Sequence, residues 1–90
     1  MVVWLPKAIT NRDAQISRIA KDSAKAAIEQ GDRIEQQINQ LIAHPEIGRA
    51  GRKQGTRELV ISHTPFIVIY RIRGDRIELI RLLHGAQQWP

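Results

Sequence analysis

The stretch that decides the fold is Gly55-Thr56-Arg57-Glu58-Leu59-Val60-Ile61-Ser62-His63-Thr64-Pro65-Phe66-Ile67-Val68-Ile69-Tyr70-Arg71-Ile72-Arg73-Gly74-Asp75-Arg76-Ile77-Glu78-Leu79-Ile80-Arg81-Leu82-Leu83-His84. It holds three apolar runs, Arg57 to Ile61, Phe66 to Arg73 and Arg76 to Leu83, joined by Ser62-His63-Thr64-Pro65 and by Gly74-Asp75. Runs rich in β-branched and aromatic residues between turn formers predict strands. A two-residue connection with glycine first predicts a tight hairpin and so a register. Arg73 faces Arg76, Arg71 faces Glu78, Ile69 faces Ile80 and Ile67 faces Leu82, all on one side of the sheet. The other side carries Phe66, Val68, Tyr70 and Ile72 beside Ile77, Leu79, Arg81 and Leu83, and a tight loop at Ser62–Pro65 adds Arg57, Leu59 and Ile61 to it.

Upstream, the periodicity changes from two to between three and four. Val2-Val3-Trp4-Leu5 reads as a short strand stopped by Pro6, which suits the first position of a helix because it has no N–H to leave unsatisfied. That helix runs to about Ala20 with Ile9, Ile16, Ile19 and Ala20 on its apolar side. Asp22 or Ser23 caps a second helix, Ser23 to Ala43, whose stripe is Ala27, Gly31, Ile34, Ile38 and Leu41. Glycine within that stripe predicts close approach of another backbone. Glu29 stands four residues before Arg33, the favourable order for a helical ion pair, and His44-Pro45 ends the helix. Between Glu46 and Thr56 the pattern disappears, leaving Gly48, Gly51 and Gly55 among Arg49, Arg52 and Lys53, which reads as a mobile basic loop. These elements predict one α+β domain over residues 1–90, in the order β-α-α-β-β-β. An N-terminal strand precedes an antiparallel helix hairpin packed on a small, mainly antiparallel twisted sheet.

Both faces of that sheet are apolar for much of their length, and one helix hairpin covers only one of them. Val60, Ile67, Ile69, Ile80 and Leu82 therefore form a patch expected to be covered by a protein partner.

Charge divides the chain in two. Residues 1–48 carry six Lys/Arg and six Asp/Glu, whereas residues 49–90 carry eight against three, which is the entire net charge of +5. Seven of those eight cations are arginine, the side chain suited to bidentate phosphate contacts. A nucleic acid, a ribosome or an acidic protein is the matching class of partner. The chain has no cysteine, which excludes a disulfide framework and thiolate metal sites and fits a reducing cytoplasm. His44, His63 and His84 lack helical metal-ligand spacing, and no Walker or dinucleotide glycine motif is present. No metal and no cofactor are expected. The longest unbroken apolar run, Phe66 to Tyr70, is too short to span a bilayer, so no membrane association is expected.

In its order of elements the chain resembles the RelE/ParE superfamily of toxins from bacterial type II toxin–antitoxin systems. The resemblance is carried by His44-Pro45-Glu46-Ile47-Gly48-Arg49, Gly55-Thr56-Arg57-Glu58-Leu59-Val60, Phe66-Ile67-Val68-Ile69-Tyr70-Arg71 and Leu82-Leu83-His84-Gly85-Ala86-Gln87-Gln88-Trp89-Pro90. It implies a growth-inhibiting protein neutralised by a cognate antitoxin from an adjacent gene, which would cover the second sheet face. Two targets are open under it: RelE-like members cut messenger RNA in the ribosomal A site, and ParE-like members bind DNA gyrase and trap it on cleaved DNA without themselves being enzymes.

RNA cleavage by 2′-hydroxyl attack needs a base, an acid and a cation for the developing phosphate charge. His84, with Arg57 and Arg81, is the candidate catalytic set, and Arg71 is a further cation. Each has a structural alternative: Arg71 pairs with Glu78 across the hairpin, Arg81 extends along the sheet edge, and His84 caps a strand. In the cleaving members an arginine tends to open the middle strand, where this chain has Phe66-Ile67. The expectation therefore favours a non-enzymatic, ParE-like block of gyrase. Arg49, Arg52, Lys53, Arg57, Arg71 and Trp89 are the candidate target-binding or nucleic-acid-binding residues, with Trp89 acting either as an apolar lid or as a stacking platform.

Overall fold

A computed structural model describes residues 1–85 together with Gln87 and Trp89. Ala86, Gln88 and Pro90 of the closing motif lie outside the described residues. The elements are β1 (Val2–Trp4), α1 (Pro6–Asp22), α2 (Ala24–Ala43), β2 (Arg49–Ala50), β3 (Arg57–Val60), β4 (Phe66–Arg73) and β5 (Arg76–His84). They form one five-stranded sheet in the order β1-β5-β4-β3-β2. All neighbouring pairs are antiparallel except β1 with β5, which is parallel because the helix pair carries the chain across the sheet between β1 and the later strands.

Ser23 makes the helix pair. Its extended backbone (φ −159°, ψ 111°) ends α1, its N–H donates to the Ile19 carbonyl at 2.9 Å, and its hydroxyl accepts from Ala26 N–H at 3.1 Å. One residue thus closes one helix and caps the next. Ala27, Ile34, Ile38 and Leu41 of α2 are buried, as their spacing predicts, and Ile34, Ile38 and Leu41 join Ala8, Leu59, Ile61, Phe66, Val68, Tyr70, Ile77, Leu79 and Leu82 in one core cluster. On α1 the stripe is displaced from expectation. Ala8 and Gln15 are buried, Ile16 and Ile19 are half-buried, and Ile9 and Ala20 are exposed. Gly31 meets the Ile16 side chain in ordinary van der Waals contact rather than another backbone. Glu29 pairs with Lys25, and the Arg33 side chain donates instead to the His63 carbonyl at 3.2 Å.

The hairpin turns as expected, with Gly74 at φ +62° and Arg73 opposite Arg76. The register holds through Arg71–Glu78 and Tyr70–Leu79, then shifts: Ile69 pairs with Arg81, Val68 with Leu82, Ile67 with Leu83 and Phe66 with His84. Ile80 is the extra residue of a β-bulge, which inverts the alternation of everything beyond it. The expected pairs Ile69–Ile80 and Ile67–Leu82 are therefore not formed. Leu82, expected on the open face, is fully buried in the core beneath the helices. The second loop is tight as required, placing Arg57, Leu59 and Val60 opposite Tyr70, Val68 and Ile67. Gln37 of α2 holds that loop, accepting from Ser62 N–H at 2.8 Å and donating to the Ser62 carbonyl at 3.2 Å.

The open face is less apolar at its surface than expected. Of the five residues assigned there, Leu82 belongs to the core, Ile69 is 2% exposed, Ile67 and Ile80 are half-buried, and Val60 is 50% exposed. The chain end returns toward this face: Gly85 N–H donates to the Pro65 carbonyl, and Trp89 lies beside Ile80 and Arg71.

Candidate functional site

The segment after α2 is held from beneath by three side chains of β3 and β4. Tyr70 is fully buried, and its hydroxyl accepts from Gly48 N–H at 2.9 Å while donating to the Pro45 carbonyl at 2.8 Å. Arg57 donates to the carbonyls of Gly48 at 2.9 Å and Glu46 at 3.3 Å. Glu58, only 3% exposed, accepts from Arg49 Nη2 at 3.0 Å and from the backbone N–H of Arg52 at 3.1 Å, and Arg52 Nε lies 3.5 Å from its second oxygen. The basic segment is thus an ordered structure rather than a mobile loop. It includes a short strand, β2, in which Arg49 pairs with Glu58 and Ala50 with Arg57.

Electrostatics follow from this geometry. Burial pushes the Glu58 carboxyl up, but the Arg52 backbone hydrogen bond, the Arg49 side-chain bond and the two guanidinium charges outweigh it, so its pKa is lowered. Burial raises that of Tyr70 from its ordinary value, and its hydroxyl donates to the Pro45 carbonyl.

A second carboxylate organises the hairpin. Glu78, 6% exposed, lies 2.6 Å from Arg71 Nε, 3.2 Å from Arg76 Nη2 and 3.9 Å from Arg73 Nη1. Its pKa is lowered, chiefly by the Arg71 hydrogen bond, with burial opposing and the charges of Arg71, Arg76 and Arg73 assisting. A cleft of about 270 Å³ is lined by Lys53, Gln54, Gly55 and Thr56 from the β2–β3 connection and by Arg71, Ile80 and Trp89. Arg49, Arg52, Lys53, Arg71 and Trp89 are therefore gathered around one face.

The catalytic candidates are not gathered. Arg57 stands opposite Tyr70, and His84 stands opposite Phe66 near the far end of β4. At about 3.3 Å per residue and about 4.8 Å between strands, their backbones are roughly 16 Å apart. Arg57 is turned toward the Gly48 and Glu46 carbonyls. Arg81 donates through Nε to Asn11 Oδ1 of α1 at 2.8 Å. The exposed His84 ring meets Phe66 edge-on at 6.2 Å between centroids, and its backbone N–H donates to Gln87 Oε1 at 2.7 Å. Among the described residues no cluster of His, Cys, Asp or Glu could hold a metal ion, and no helix is long and apolar enough to cross a membrane.

Asn11 and Tyr70 were not singled out in sequence as organising residues, whereas Glu78 was expected to pair with Arg71 across the hairpin and does so at 2.6 Å. For Glu78 a signal exists, since one carboxylate follows three arginines across a two-residue turn. For Asn11 there is none, because its partners lie seventy and seventy-one positions away.

Residues 2–89 match the family model described as ParE toxin of type II toxin-antitoxin system, parDE. The protein Y4kP of Sinorhizobium fredii (strain NBRC 101917 / NGR234), a toxin by its name, is 38% identical over 87 residues, covering 97% of this chain and 90% of its own length. A solved chain titled as the chromosomal ParDE TA system from P. aeruginosa superimposes with a TM-score of 0.81 over 92% of both chains. At 24% identity that likeness is one of fold.

Proposed function

Since this chain belongs to the ParE toxin family of type II toxin–antitoxin systems, we propose that it inhibits growth by binding DNA gyrase, without catalysis of its own. As a family member it is a toxin component whose partner is a cognate antitoxin, and we place that antitoxin in an adjacent gene. The observation that supports a binding rather than a cleaving toxin is the separation of the groups that cleavage would need. His84, Arg57 and Arg81 are held in three different settings, with Arg57 engaged by backbone carbonyls and Arg81 by Asn11. General acid–base catalysis requires its groups within hydrogen-bond reach of one reacting centre. The arrangement offers instead a fixed, strongly basic face around Glu58 and Glu78, suited to recognition.

The test adds the purified full-length chain to gyrase with relaxed plasmid, and separately to translating ribosomes. Loss of supercoiling with accumulation of cleaved gyrase–DNA complexes, while messenger RNA stays intact, is the expected result. Cleavage of messenger RNA in the A site with gyrase unaffected would overturn the proposal.

A further inference from the structure

Most of the chain's surplus charge lies on the open sheet face and its rim. Arg49, Arg52 and Lys53 at the β2–β3 connection and Arg71, Arg73 and Arg76 on the β4–β5 hairpin set six cations against Glu58, Glu78 and the turn residue Asp75, a net +3 of the whole chain's +5. Glu58 and Glu78 are buried, so what the face presents outward is guanidinium. The contacts to Glu58 and Glu78 engage Nη2 of Arg49, Nε of Arg52, Nε of Arg71 and Nη2 of Arg76. A guanidinium has five N–H donors in a planar fork, so each arginine is oriented by its carboxylate while other donors remain to meet an anion.

Spacing and composition indicate which anion. Glu58 is opposite Ile69 and Glu78 is opposite Arg71, two residues along and two strands across. By strand geometry the two centres are roughly 12 Å apart, the scale of the major groove of duplex DNA at about 12 Å. The apolar side chains that would let this face order an amphipathic peptide are mostly withdrawn: Leu82 is in the core, and Ile69 and Leu83 are buried. Protein–DNA interfaces are more polar and more positive than protein–protein ones. Trp89 lines one cleft with Lys53 and Arg71, an aromatic among cations.

We infer that this face binds the phosphate backbone of duplex DNA, with the Glu58 and Glu78 arginine groups meeting phosphates on either side of a groove. The inference rests on the gyrase reading for its setting, since gyrase presents DNA to anything bound beside it. Its test does not need gyrase. Glu58 and Glu78 are positioning residues: their charge opposes DNA, yet they hold the cations that bind it.

The full-length chain, freed of antitoxin, is titrated into a fluorescein-labelled duplex and anisotropy is followed from 50 to 200 mM salt. Four phosphate contacts give a log–log salt slope of about −3.6 and roughly a 150-fold loss of affinity over that range. Arg49→Ala with Arg52→Ala, or Arg71→Ala with Arg73→Ala, brings the slope to about −1.8 and the loss to about 12-fold, while Arg18→Ala with Lys21→Ala on α1 changes neither. Glu58→Gln weakens binding although it makes the chain more positive, a sign that simple charge counting would not give. If that variant does not fold, Lys53→Ala, which removes an exposed cation of the same face, decides by making the slope shallower by about 0.9. Absence of binding at 50 mM salt, an unchanged slope in both arginine pairs, an equal loss in the α1 pair, or equally tight binding of poly-glutamate would overturn the inference; tighter binding by folded Glu58→Gln would remove the positioning role. Inhibition of gyrase by a chain that does not bind DNA would reject this inference and keep the gyrase reading. DNA binding without inhibition would do the reverse.

Discussion

The hydroxyl of Tyr70 accepts from the backbone N–H of Gly48 at 2.9 Å, and a β-carbon built on Gly48 would lie 2.6 Å from that same oxygen. The close approach that joins the helix layer to the basic segment therefore admits only glycine. Gly48→Ala should destabilise the free chain by about 1–3 kcal/mol, the usual cost of overpacking, seen as a lower urea midpoint with an unchanged m-value. Adding Tyr70→Phe should not restore it, because the β-carbon would still meet the ring Cε1 at 2.7 Å and the Glu58 carbonyl at 2.9 Å.

Acid should weaken the fold through Glu58. Its pKa is lowered in the folded state from an ordinary value of 4.5, so its contribution is complete above 4.5 and is lost as pH falls from there through the lowered folded value. Glu58→Gln should cost about 1–3 kcal/mol at neutral pH through loss of charge-assisted hydrogen bonds. It should also flatten the dependence of stability on pH below 4.5, leaving the part due to Glu78, whose pKa is lowered as well. Urea titrations of both proteins between pH 3 and pH 7 measure this, with equal slopes counting against the role of Glu58.

Asn11 should matter more than its place on a helix surface suggests. Its Oδ1 accepts from Arg81 Nε at 2.8 Å and from Leu82 N–H at 3.2 Å, closing the edge of β5 beyond the reach of β1. Asn11→Ala should cost about 1–3 kcal/mol, the penalty for a part-buried donor left without its acceptor. Faster amide hydrogen exchange at Leu82, with little change at Leu79, which pairs with Trp4 of β1, is the local signature.

His84→Ala should leave growth inhibition nearly intact. An exposed side chain outside the basic face carries about 0.5 kcal/mol or less, so a dose–response for gyrase inhibition should move by about twofold. A loss of several orders of magnitude, with folding preserved, would return His84 to a catalytic role.

Much of the architecture was legible because local and global signals agreed. Gly74-Asp75 set the hairpin, Ser23 capped α2, and Ala27, Ile34, Ile38 and Leu41 kept their helical period. The bulge at Ile80 was not legible. In Leu79-Ile80-Arg81-Leu82-Leu83 apolar residues occur at both parities, so the pattern accommodates either register, and only packing under the helices selects Leu82 for the core. The candidate site divides in the same way. The abundance of arginine and the Arg71–Glu78 pair were plain in sequence, but the gathering of Arg49 and Arg52 on Glu58 depends on the pairing of β2 with β3, which no turn announces. The short strand Arg49–Ala50 exists because Glu58 and Arg57 hold it, with no propensity signal of its own.

The place of β5 in the sheet bears on when the protein becomes active. The last strand in sequence lies between the first strand and β4, and Met1 reaches it through its carbonyl to Ile77 N–H and its ammonium group to the Asp75 carbonyl. A nascent chain that has completed only β4 lacks the strand to which both β1 and β4 must attach. Such long-range pairing forms late and slowly. The basic face, to which β5 contributes Arg76 and the Glu78 that holds Arg71, is therefore assembled only after β5 has been made. Under the proposed reading, the binding surface is incomplete for as long as β5 is missing from the sheet.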